Sequence, residues 1–133
     1  MQTSLWQLQV AIYNRLSNDV ALNNVITGVH DSVSATATKP YLVLGSPTVT
    51  PSATKTSYGE NIVLTLDTWS SYSGRKETIY IFNLILAALK EPLTIGGSFL
   101  MLKRELVSMN ILDDPVEDGI KHGVLELRFI INN

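Results

Sequence analysis

The stretch WSSYSGRKE, residues 69–77, holds the densest run of chemistry-bearing side chains in the sequence: an aromatic, small hydroxyl residues, a glycine, two cations and an acid. Cations beside a glycine at the start of a helix can hold a phosphate, because the first backbone N–H groups of a helix point outward unpaired. A phosphate loop, however, requires two glycines flanking four residues, followed by Lys and a hydroxyl residue. Here there is one glycine, Arg75 precedes Lys76, and Glu77 stands where the hydroxyl should be. Arg75 and Lys76 also oppose the helix dipole by a few tenths of a kcal/mol, partly offset by Glu77 if Gly74 is the N-cap and Glu77 the third helical residue. The spacing therefore favours a strand-to-helix junction with a solvated basic turn, whose two cations can meet carboxylates on a partner protein. Trp69 either roofs the edge of the core, with Tyr72 and the following helix covering it, or anchors an interface; the core placement is preferred.

The remaining chemistry is sparse. His30 and His122 are far apart and neither has a metal-ligand partner three or four residues on, so the common zinc patterns fail. No serine sits in a G-x-S-x-G elbow. Asp113, Asp114, Glu117 and Asp118 lack the alternating oxygen ligands and closing glutamate of a calcium loop, and Pro115 breaks the spacing; a solvated hairpin turn is the better reading. With no cysteine in the chain, thiolate metal sites, disulfides and cysteine nucleophiles are excluded. No catalytic or metal-binding residues and no cofactor are expected. Lys103, Arg104, Lys121 and Arg128 could serve a small nucleic-acid-binding module, the alternative function. Yet Phe129 faces away from Arg128, and a formal net charge of −2 gives no bulk field to attract nucleic acid or a membrane.

Positioning these residues needs one domain, 1–133, of ordinary size, with 45% hydrophobic and 17% charged residues. The N-terminus lacks a basic region followed by an apolar run, and the apolar stretch Ile79–Leu89 is about half the length that crosses a bilayer; a soluble, intracellular protein is expected. Leu5, Leu8, Ile12 and Leu16 recur at helical spacing, widened by Val10 and Tyr13 and capped by Thr3 or Ser4; a short second turn capped by Asn18 follows through Val25. Short strands are predicted near Val29–Val33 and over Pro40–Ser46, then a long hydroxyl-rich loop, 46–59. Glu60–Trp69 alternates, with Ile62, Leu64, Leu66 and Thr68 on the core face. A second helix spans about Gly74–Lys90, with Ile79, Phe82, Leu86 and Leu89 as one stripe flanked by Ile81, Ile85 and Ala88, stopped by Pro92. Phe99–Met109 and Ile120–Ile131 read as strands around the acidic turn. The fold class is α+β: a mostly antiparallel sheet of about four to five strands with two main helices on one face.

Four phrases in this order, AIYNRLSNDVAL (11–22), KPYLVLG (39–45), TLDTWSSYSGRKE (65–77) and DDPVEDGIKHGVLELRF (113–129), resemble the small tail completion proteins of long-tailed bacteriophages, also called tail terminator or head–tail joining proteins. The 46–59 loop has no counterpart in that resemblance. It implies a non-enzymatic virion component at the head–tail interface, present in the host cytoplasm during assembly. It further implies a ring, commonly a hexamer, that caps the tail tube and joins it to the head connector or stopper protein while DNA passes through unread. The implied partners are other copies of the chain, the tube protein and the connector, with no sequence-specific nucleic acid and no membrane. A ring needs head-to-tail contacts that close, and the flexible loop, the basic corner and the sheet edges suit that role; Thr50, Lys55, Thr56, Tyr58, Arg75 and Lys76 are the candidate interface residues.

Overall fold

A computed structural model describes residues 2–34, 36–52 and 58–132. Among these the chain runs α1 (Leu5–Ser17), α2 (Val20–Asn23), β1 (Val29–His30), β2 (Tyr41–Pro51), β3 (Gly59–Ser70), α3 (Lys76–Ala88), β4 (Leu100–Asp113) and β5 (Lys121–Asn132). The strands form one sheet in the order β1-β2-β3-β5-β4. β1 joins β2 in parallel and every other pairing is antiparallel, so the α+β sheet is mixed.

Alternation in β3 works as the sequence predicts. Ile62, Leu64, Leu66 and Thr68 are buried, and β5 matches them with Leu125, Leu127, Phe129 and Ile131. α1 and α3 pack on this face, α1 towards β1 and β2 and α3 on β3 and β5. Leu8, Ile12 and Leu16 of α1 enter the core, whereas Val10 and Tyr13, expected to widen that stripe, are exposed. The α3 stripe is also rotated from expectation. Thr78, Ile81, Phe82, Ile85 and Ala88 face inward, Leu86 is only half-buried and Ile79 is exposed. The cause is Gly123 on β5, whose missing side chain lets Thr78 and Phe82 sit directly on the strand.

The expected 46–59 loop is in part strand, since β2 continues to Pro51. Pro47 and Pro51 are tolerated because β1 pairs only with Leu42 and Val43, so the outer edge of β2 beyond them is free and a missing N–H breaks no ladder bond. The register shift between Leu44 and Pro47 absorbs the local irregularity. Two helix caps differ from expectation. Asp19, not Asn18, caps α2, its Oδ2 accepting from Leu22 N–H at 3.0 Å. Asn18 donates instead to the Asn14 carbonyl at the end of α1. Arg75, not Gly74, is the N-cap of α3, and Glu77 accepts from the Ser70 hydroxyl at 2.6 Å.

Both ends of α1 are tied to distant parts of the chain. Ser4 supplies no side-chain cap. Glu60 of β3 reaches across instead, its Oε1 accepting from both the backbone N–H and the hydroxyl of Ser4 at 2.7 Å. Burial pushes the Glu60 carboxyl upward, but hydrogen bonds from the Ser4 backbone and side chain, and then from Thr3 and Tyr58, outweigh it and hold the group below the usual carboxylate range. Near the other end, Arg15 donates to the carbonyls of Ala88, Glu91 and Pro92 at 2.9, 3.0 and 3.2 Å. α3 has no basic residue in its own last turn, so Arg15 supplies from α1 the charge that complements its C-terminal dipole. Arg15→Met, which keeps much of the apolar stem, is expected to lower stability by about 2 kcal/mol through these charge-assisted bonds, read by urea denaturation.

Candidate functional site

Of the six expected interface residues, the four that are described do not form one patch. Thr50 is exposed near the end of β2, paired with Asn61. Tyr58 is half-buried just before β3, its hydroxyl donating to Glu60 Oε2 at 3.3 Å. Its own desolvation and the nearby Glu60 carboxylate push the Tyr58 phenol upward. Lys55 and Thr56 lie outside the described residues. Arg75 and Lys76 are exposed at the start of α3, beyond the far end of β3. The 12 residues of β3 separate the two groups by roughly 35 Å at the rise of an extended strand. The Arg75 end of the sheet also carries the acidic turn: Asp113 is held below the usual carboxylate range by its bond to Lys121 and the charge of that lysine, with a smaller contribution from Arg75.

Trp69 is not in the core. It lies half-buried on the sheet face away from the helices, stacked on His122 with ring centroids 3.9 Å apart and planes 10° from parallel. His122 Nε2 is 2.9 Å from Asp67 Oδ1, and Thr65 donates to the other Asp67 oxygen at 3.2 Å. The histidine is thus engaged by a carboxylate and an indole. Trp69→Ala is expected to cost about 1–2 kcal/mol, the value of an aromatic pair plus partial burial, rather than the 3–5 kcal/mol of a core aromatic. Urea denaturation followed by circular dichroism measures it.

The strand cations are mostly neutralised by carboxylates, Arg128 and Lys103 on the open face and Lys121 on the helix side. Arg128 donates to Glu105 Oε1 at 2.9 Å, Lys103 lies 3.4 Å from Glu105 Oε2, and Lys121 pairs with Asp113. Those two cations hold Glu105 below the usual carboxylate range. Arg104 points to the helix side, opposite Phe129. The four cations therefore form no basic stripe. Among the described residues no group of three or more His, Cys, Asp or Glu could hold a metal ion, and no helix is long and apolar enough to cross a membrane.

The most unusual surface is one that sequence reasoning missed, the edge strand β4. Leu100, Leu102, Leu106, Val107, Met109 and Leu112 are all exposed. Two register shifts against β5, at Met101/Lys103 and Leu106/Ser108, turn apolar residues to both faces. A long apolar edge left unpaired is a template for association. The signal in the sequence was LMLKRELVSMNIL, which is apolar without strict alternation.

Comparison with known proteins gives this surface a context. A family profile described as "Tail completion protein gp17" matches residues 10–132. The tail completion protein gp17 of Bacillus phage SPP1 is 34% identical over 128 residues, covering 95% of this chain and 92% of that protein. The solved structure titled "Structure of bacteriophage SPP1 gp17 protein" matches with a TM-score of 0.66 at 31% identity, over all of this chain and 98% of the other. A chain from the "Virion of native gene transfer agent (GTA) particle" has the same fold over the full length of both chains, with a TM-score of 0.88 at 18% identity. The chain belongs to the tail completion protein gp17 family, structural virion proteins of bacteriophages and not enzymes.

Proposed function

We propose that this protein sits at the head–tail junction of a phage particle. It caps the tail tube as a ring of identical copies, commonly six in such proteins, and joins the tube to the head connector while DNA passes through the opening. The observation that carries this reading is the exposed apolar edge of β4 in a chain of the tail completion family. Monomeric proteins rarely leave such a surface uncovered. The separation of the four described interface residues fits a ring as well. Copies meet side by side through the sheet edges, leaving the two strand ends to face different neighbours. One end carries Thr50 and Tyr58; the other carries Arg75 and Lys76. The paired strand cations and the formal net charge of −2 suit a passage through which a polyanion slides without being held.

The test is negative-stain microscopy of particles made by an amber mutant lacking this protein. Filled heads and separate tails are expected. Normal-length tails attached to heads would refute the assignment.

A further inference from the structure

The sheet is covered unevenly. α1 lies over its β1–β2 side and α3 over β3 and β5, and α3 stops short of β4. Between α3 and β4 runs an open groove of about 410 Å³, lined by Leu86 of α3, Leu89 just after it, Leu106 of β4 and Phe129 of β5, with Lys90 and Arg104 among its walls. At the opposite edge, α1 turns a second apolar surface outward. Trp6, Val10 and Tyr13, spaced i, i+4, i+7, are 66%, 36% and 40% exposed, and Asp31, just after β1, lies beside them.

We infer that the Trp6–Val10–Tyr13 stripe of one copy seats in the α3–β4 groove of the next. This rests on the ring reading above and names the surfaces that make it. An exposed helical stripe with an aromatic at each end fits a groove lined by aliphatic side chains and a phenylalanine, the helix-in-groove mode of recognition, and Trp and Tyr are the residues that dominate such contacts. The charges agree. Among the described residues Lys90 and Arg104 have no ion pair, and the Asp31 carboxylate is met only by the Gln9 amide at 2.8 Å. Docking brings the acid of one copy to the cations of another. Because stripe and groove lie on opposite edges of one sheet, the contact is head-to-tail and each copy uses both surfaces once, the condition for a closed ring. The neighbour's α1 occupies the place over β4 that the chain's own helices leave empty.

The chain has no cysteine, so engineered thiols report cleanly. The variants Val10→Cys/Leu106→Cys and Tyr13→Cys/Leu106→Cys are introduced into the phage, and purified particles are treated with a short bis-maleimide and run on a denaturing gel. A ladder of covalent multimers from at least one double variant, absent from all three single variants, is expected. Particles that contain the chain but give no ladder from either double variant overturn the docking and leave the head–tail assignment standing. Strong dimers from a single-cysteine variant show a symmetric contact and also overturn it. Absence of the chain from wild-type particles overturns the head–tail assignment and the docking with it.

Discussion

Gly123→Val is expected to lower stability by about 3 kcal/mol or more, the upper range for overpacking a filled core, and to leave little folded protein at physiological temperature. A Cβ at this position would lie 2.6 Å from Thr78 Cγ2 and 2.8 Å from Phe82 Cζ, and closer still to the Thr68 hydroxyl. None of these is the free end of a flexible surface chain: Thr68, Thr78 and Phe82 are all buried. The only relief is to lift α3 from β5, which opens the helix–sheet layer over its best-packed region. Gly123→Ala should show the same effect at about 1–3 kcal/mol, and combining it with Phe82→Leu should recover part of the loss, since the pair shares one space. Gly96→Ala is the control. Its Cβ meets only Gln7 Cγ at 3.9 Å, so the urea midpoint should barely move.

Glu60→Ala should cost about 3 kcal/mol, because two Ser4 donors lose a charged acceptor in a buried setting and must be left unpaired or rehydrated. The same group gives the protein an acid limit. The folded carboxyl titrates below its unfolded value of about 4.3, so the unfolded chain binds more protons and stability rises with pH through this interval. Glu60 contributes fully above the unfolded value and progressively less as pH falls through the folded one. Urea midpoints between pH 3 and pH 6 should therefore fall less steeply on the acid side for Glu60→Gln than for the wild type. Equal slopes would assign the acid sensitivity to the half-buried Glu105 and the exposed Asp113.

The elements with one buried face were legible in the sequence. β3 alternates because helices cover one side of it, and the positions expected in its core are the ones found there. β4 was not legible in the same way. No helix rests on it and its bulges defeat a strict two-residue period, so burial within the chain does not account for its hydrophobic residues. Val10 and Tyr13 misled because an apolar residue at helical spacing looks identical in sequence whether the core covers it or solvent does. Trp69 was drawn towards the core by its size, although its place in the alternation of β3 put it on the open face. Arg15 and Glu60 could not be anticipated as cross-chain caps, because their partners lie 73 to 77 and 56 residues away.

α1 behaves as a beam fixed at two supports. Near one end it is anchored to β3 through Glu60, and near the other it grips the chain leaving α3 through Arg15. A force applied to its outer surface is delivered into the sheet at one support and into the base of α3 at the other, and the helix has no free end about which to pivot. A helix mounted in this way keeps its orientation whether or not anything presses on it, so little conformational freedom remains to be lost when a partner engages it.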